Sequence, residues 1–335
     1  MYHPRLYGDF YDMGFKYGKL LYDKACFSLP TISDQKKEFG LASYTELKNY
    51  YPEAVEEIIG FAKGIKDTPE NVGAFLLSLG IFDTTGQCSV FAFKNTHTVI
   101  VGRNYDMLFA FKRFTESSLI APEGKFSYIS QSDVFIGRSD GINETGLSIA
   151  MSFVNGTQVE PGISFHFIVR KVLENCRTTS EAINLIENTK VSAANNFLIA
   201  DRSGYIAVVE SAPQGTAIRR LEQNEKFIFI TNQFISEVMK PFDSGKVEWS
   251  KSVERYQALK GQLAAIKQMD LVKAKEVLSN KCVCLDLRKE KFGTIWSVVT
   301  NLNDLTIERA ETKPRVSNFK PETRLDWWLK KRTEM

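Results

Sequence analysis

Residues 86–106 read GQCSVFAFKNTHTVIVGRNYD, and this stretch divides the chain. From Ser89 to Lys94, and again from Thr98 to Arg103, β-branched and aromatic residues dominate, which predicts two strands. Asn95 and Thr96 supply the turn between them. A hairpin of this length returns the chain to its starting point. It therefore brings Arg103 and Asp106, at the end of the second strand, back toward Cys88 at the start of the first.

Upstream of the hairpin the texture is helical. Asp9–Ala25 sets Phe10, Met13, Tyr17, Leu20 and Leu21 at helical spacing. Ser43 with Glu46 has the form of a capping box ahead of Leu47. Pro52 suits the first position of a helix that carries Val55, Ile58, Ile59 and Ala62 on one face, and Thr68-Pro69-Glu70 opens another toward Ile81. Downstream, strand patterns are expected at 117–121, 126–131 and 147–153, then helices at 165–176 and 180–187. Strands resume at 197–201, 206–211, 216–221 and 227–231, a helical block covers 250–279, and strands return at 294–301 and 305–310. Blocks of strands and blocks of helices, without regular alternation, predict an α+β fold.

The chain has 335 residues, of which 43% are hydrophobic and 25% charged, so a sizeable core can form without disulfides or a structural metal. A net charge of +3, with both signs interspersed, gives no electrostatic case for nucleic acid or a membrane surface as partner. The longest apolar run, Val72 to Phe82, is too short to span a bilayer, and no signal-peptide core follows Met1. With five scattered cysteines (Cys26, Cys88, Cys176, Cys282, Cys284), a disulfide framework is not expected and a cytoplasmic setting is. Cys282-Val-Cys284 lacks the further ligands of a zinc site and is expected to pack in the core.

Hydrolytic chemistry needs a nucleophile and a base. Cys88 is the candidate nucleophile, and only His3, His97 and His166 could offer imidazole. His97 or His166 could serve it as in a papain-like pair. The alternative needs no histidine: a freed α-amine titrates at about 7.7–8.0, so a cysteine exposed as a new N-terminus carries its own proton acceptor. Further polar motifs follow in order. Asp140-Gly141-Ile142-Asn143-Glu144-Thr145-Gly146-Leu147 reads as a turn leading into a strand, Asn195-Asn196-Phe197 precedes another, and Ser252-Val253-Glu254-Arg255-Tyr256 falls on a helix.

With Gly102-Arg103-Asn104-Tyr105-Asp106, these motifs resemble the N-terminal-nucleophile cysteine hydrolases of the acyl-coenzyme A:6-aminopenicillanate acyltransferase group, relatives of penicillin V acylase and choloylglycine hydrolase. Each match alone is weak; five in order, with Asp106 eighteen positions after Cys88, are specific. Three positions depart from the group's pattern. Met107 stands where Trp is common, Asn232-Gln233-Phe234 replaces Asn-His-Phe, and Gln87 precedes the nucleophile in place of a small or acidic residue.

The resemblance implies a four-layer αββα sandwich, with residues 1–87 as a helical prosegment and 88–335 as the catalytic domain. It implies cleavage between Gln87 and Cys88, with Cys88 as nucleophile and its freed amine as base. Asp106 would orient that amine and Arg103 would hold the thiolate. Asn143 and Asn196 would build the oxyanion hole, and Arg255 would brace the site. The implied substrate is a small N-acyl amide, with no cofactor and no metal. Substrate identity, hydrolysis versus acyl transfer, and homo-oligomer formation stay open. Two other readings stand beside this one: a histidine-assisted cysteine hydrolase, and an unprocessed relative that binds without catalysis. Trp327-Trp328 is expected to pack as part of the C-terminal segment, not to anchor a membrane.

Overall fold

A computed structural model describes residues 1–82, 86–245 and 248–334. Its centre is the hairpin of β2 (Gln87–Lys94) and β3 (Val99–Leu108), in register from Gln87↔Asp106 to Lys94↔Val99. β2 alternates Val90 and Ala92 toward one core with Phe91 and Phe93 toward another, as the two-residue period of a strand requires. The hairpin lies inside a seven-stranded sheet. β11 (Phe227–Ile230) flanks β2, while β13 (Phe292–Asn301), β14 (Thr306–Ala310) and β15 (Lys320–Glu322) continue beyond β3, with the short β12 (Asp286–Leu287) on β13.

A second sheet has eight strands. Their spatial order is β1 (Arg5–Gly8), β4 (Glu116–Pro122), β5 (Tyr128–Ser132), β6 (Asp140–Asn143), β7 (Ser148–Phe153), β8 (Asn195–Ala200), β9 (Ile206–Ala212) and β10 (Gly215–Arg220). Val90 and Ala92 meet Leu119, Ile129, Ala150, Leu198 and Val208 of this sheet in one core. On its other side, Ile120, Ile149, Ile199 and Val209 pack with α1 (Phe10–Ala25), α3 (Pro52–Ile65), α4 (Pro69–Ser78), α5 (Phe165–Asn175) and α6 (Thr179–Glu187). Phe91, Phe93 and Val299 pack with Leu259 and Leu263 of α7 (Ser252–Ala264) and Ala274 and Leu278 of α8 (Leu271–Ser279).

α1 and α3 cross with their backbones in contact: a Cβ on Gly60 would lie 2.0 Å from the Tyr11 carbonyl oxygen. Beneath them runs a buried ionic seam. Arg170 of α5 ion-pairs with Glu57 of α3 and with Glu174, and Tyr51 and Tyr128 donate to Glu174. Tyr17 of α1 and Arg138 likewise converge on Glu116 of β4. Residues before and after position 87 therefore share both an apolar core and their buried charges.

Several expectations differ from the structure. The N-terminal segment is not purely helical: β1 joins β4 in parallel, Leu6 opposite Ile120. Ser43 does not begin a helix, because Ser33 caps α2 (Asp34–Tyr50) nine residues or more before the expected start and leaves Ser43 buried mid-helix. Asp140–Asn143 is a strand rather than a turn; the turn follows it, with Gly146 at φ +82°. The helical block at 250–279 breaks into α7 and α8. Cys284 is buried as expected, but Cys282 is exposed. In α9 (Arg324–Thr333), Trp328 is buried and donates from Nε1 to Ser127 Oγ at 2.9 Å, whereas Trp327 stays half-exposed under Arg5. Among the described residues no helix is long and apolar enough to cross a membrane.

Candidate active site

Cys88 lies near the start of β2, opposite Tyr105 of β3, and is 1% exposed. The hairpin register carries Arg103 to the same end, where its Nη2 donates to Cys88 Sγ at 3.2 Å. Its Nη1 donates to Asp140 Oδ2 at 2.6 Å and to Ser139 Oγ at 3.3 Å, which fixes the guanidinium plane. Burial pushes the Cys88 thiol up from its ordinary pKa, and the Arg103 cation pulls against that shift.

Asp106 stands opposite Gln87 and is fully buried. Thr294 donates to its Oδ1 at 2.5 Å and Arg255 Nη1 lies 3.8 Å from its Oδ2, yet that Oδ2 accepts no hydrogen bond. Burial consequently raises the carboxyl to about 6, against the pull of Arg255, the Thr294 bond and Arg103.

Arg255 is buried, not solvated as its place on a helix would suggest. Its Nη1 donates to the Cys88 carbonyl at 2.5 Å and to Ser89 Oγ at 2.9 Å; its Nη2 donates to Asn232 Oδ1 at 2.8 Å and to Gln87 Oε1 at 3.4 Å. The backbone N–H of Cys88 donates to that same Asn232 oxygen at 3.0 Å. Asn232 Nδ2 is tied to Ser152 Oγ and the Phe153 carbonyl, and Ser252 Oγ accepts from its backbone N–H. Ser252 and Arg255, one turn apart on α7, thus hold the backbone and the side chain of one asparagine.

The two asparagines expected as oxyanion donors are placed elsewhere. Asn143 Nδ2 donates to the carbonyls of Leu173 and Cys176, and its Oδ1 accepts from Thr145 N, Thr145 Oγ1 and Leu147 N. It fastens the β6–β7 turn to the end of α5. Asn196 Nδ2 donates to the carbonyls of Thr231 and Gln233, so it holds the segment that carries Asn232. An amide has two N–H donors, and in each case both are engaged. The asparagine that touches Cys88 is Asn232, whose only sequence signal is the first letter of Asn232-Gln233-Phe234.

The histidines divide similarly. His97 is exposed in the β2–β3 turn, roughly 20 Å from Cys88 at about 3.3 Å per residue along β2. His166 lines the cavity beside Cys88 but makes no hydrogen bond to Sγ, and burial lowers its imidazole to about 3.

That cavity, of about 80 Å³, is lined mainly by apolar side chains, among them Tyr105, Met107, Phe111, Met151, Phe153 and Phe165. Leu79, Gly80 and Gly86 from the N-terminal side complete its wall.

Residues 93–315 match the family model described as acyl-coenzyme A:6-aminopenicillanic acid acyl-transferase. The chain belongs to this family. The matched span of this acyl-transferase family holds Arg103, Asp106, Asn232 and Arg255 and begins five residues after Cys88. Among solved structures, an N-acylethanolamine-hydrolyzing acid amidase ortholog from Caenorhabditis elegans is similar, with a TM-score of 0.50 at 20% identity over 64% of this chain and 93% of the other. A mutant of the conjugated bile acid hydrolase from Clostridium perfringens gives a TM-score of 0.51 at 14% identity, over 70% of this chain and 96% of the other. At such identities the likeness shows a shared fold. No protein of curated function matches the chain in sequence.

Proposed function

We propose that the chain is a self-processing cysteine amidohydrolase or acyltransferase acting on a linear N-acyl amide. The observation that carries this reading is the clamp around the Gln87–Cys88 peptide: Asn232 holds its N–H, Arg255 holds the next carbonyl, and Arg103 holds the thiol.

In the first stage the Cys88 sulfur attacks the Gln87 carbonyl carbon. The C–N bond breaks as the nitrogen takes the thiol proton, and water then hydrolyses the thioester to leave Gln87 as a carboxylate and Cys88 with a free thiol and amine. In the second stage that amine accepts the thiol proton. The thiolate attacks the substrate amide, the amine product leaves with the proton, and water or an acceptor amine resolves the acyl-thioester. Asp106 is the carboxylate beside the new amine, and its unpartnered Oδ2 is available to it. Arg103 favours the thiolate. In the uncut chain the Cys88 nitrogen is an amide and cannot act as a base, which suits a zymogen.

The same reading treats the three cores as the seams of a four-layer αββα sandwich, with residues 1–87 as a prosegment and 88–335 as the catalytic part. Shared buried charges support a cleaved segment that stays bound. Intact mass tests the proposal. The wild-type chain should resolve into two pieces cut before Cys88, and Cys88→Ala should remain one 38.0 kDa species without amidase activity. Cleavage that survives in Cys88→Ala would refute it.

A further inference from the structure

Among the described residues, one acidic side chain lines the cavity beside Cys88. Asp133 follows β5 and is 6% exposed, and its single hydrogen-bond partner from another side chain is the Tyr105 hydroxyl, at 3.0 Å. This sets it apart from the other buried carboxylates among the described residues. Glu57, Asp106, Glu116, Asp140, Glu174, Glu210 and Glu322 each face an arginine within 4 Å. Asp201 has no such partner, but it accepts from Thr179 N, Ser203 N and Ser203 Oγ.

Asp133 has neither an ion pair nor a full set of donors. Arg103 acts on it only through space, with no hydrogen bond or ion pair between the two side chains among the described residues. A carboxylate removed from water without a cation is costly, and such groups cluster at functional sites. Tyr105 also fixes where the group sits. It stacks on Trp296 with ring centroids 3.8 Å apart and stands in register opposite Cys88, so the carboxylate lies one tyrosine side chain from the strand position facing the nucleophile.

Cavity size bounds the occupant. A space of about 80 Å³ holds roughly five to eight waters at 10–15 Å³ each, and so an acyl chain of about that many heavy atoms. Apolar walls favour the chain's methylenes.

We propose that Asp133 is a specificity-determining residue that binds a primary ammonium at the far end of the acyl group, so that the preferred substrates are amides of short ω-amino acids. This rests on the assignment of Cys88 as the nucleophile.

The test compares two isosteric anilides, the 5-aminopentanoyl and hexanoyl amides of 4-nitroaniline. On the wild-type enzyme kcat/KM should favour the aminopentanoyl compound by at least about ten-fold, the equivalent of about 1.4 kcal/mol. In Asp133→Asn the ratio should fall to near one, with Asp133→Glu retaining part of the preference. A wild-type preference for hexanoyl, or a ratio unchanged in Asp133→Asn, overturns the proposal. A binding measurement separates this from failure of the nucleophile assignment. Calorimetry on the uncleaved Cys88→Ala chain should show pentylammonium binding at least about ten-fold tighter than pentanol, with the difference lost in Cys88→Ala/Asp133→Asn. Equal affinities for the two probes refute the role of Asp133 whether or not the chain processes itself. Selective binding in a chain that cleaves neither itself nor any anilide supports Asp133 and removes the nucleophile reading.

Discussion

Replacing Asp106 by Asn should stabilise the protein at neutral pH while stopping its chemistry. Asp106 is fully buried, its Oδ2 has no hydrogen-bond donor, and its carboxyl is raised from 3.8 to about 6. Between about pH 4 and about pH 6 the folded chain keeps a proton that the unfolded chain has already released, so stability falls as pH rises through that window. About two pKa units at 1.36 kcal/mol each put the full penalty near 3 kcal/mol above pH 6. The attraction of Arg255, the Thr294 bond and Arg103 is already contained in that balance, and desolvation outweighs them. Asparagine keeps an oxygen for the Thr294 hydroxyl and carries no charge to desolvate. In the uncleaved Cys88→Ala background, urea unfolding should therefore give Asp106→Asn a gain approaching 3 kcal/mol at about pH 7.5 and almost none at about pH 3.5, while Asp106→Asn alone should lose self-cleavage and amidase activity. A variant destabilised at pH 7.5, or a stability difference that does not vary with pH, would refute the reasoning.

Asn143→Ala removes an amide that makes five hydrogen bonds at the β6–β7 turn, and should cost about 2–4 kcal/mol in thermal or urea unfolding. The fraction of folded protein cleaved before Cys88 should not change; a cleavage defect without destabilisation would return Asn143 to the chemistry. Asn232→Ala leaves the Cys88 N–H without its acceptor and removes one partner of Arg255. At about 1–3 kcal/mol for a buried unpaired donor, cleavage followed by intact mass should slow by about ten- to hundred-fold. A rate within two-fold of wild type would show that the clamp on the scissile peptide is idle.

The hairpin was legible because strand periodicity and turn chemistry fix its register, and register alone carries Arg103 and Asp106 to Cys88. Arg255 was legible only as a motif; nothing local to α7 says that its guanidinium is buried against β2. Asn143 and Asn232 show where sequence reading stops. Both stand beside turns and both precede or follow strands, and the choice of carbonyl each amide binds depends on segments far away in the chain. β1 escaped notice for a related reason. Four residues are too few to show a period, and the partner that makes them a strand begins more than a hundred positions later. At Ser43 the local rule was sound, but Ser33 offered an earlier cap and the helix took it.

On the proposed cleavage before Cys88, Arg170 lies between Glu57 on one side of the cut and Glu174 on the other, with a consequence for how the mature molecule would age. Once the backbone is severed, folding stability becomes in part an association equilibrium between two polypeptides, and dilution acts on it as temperature does. Departure of the smaller piece would strand a guanidinium with half its countercharge and bare the apolar face above it. The working lifetime of a cut molecule would then depend on how tightly the two fragments hold that arginine and the core around it.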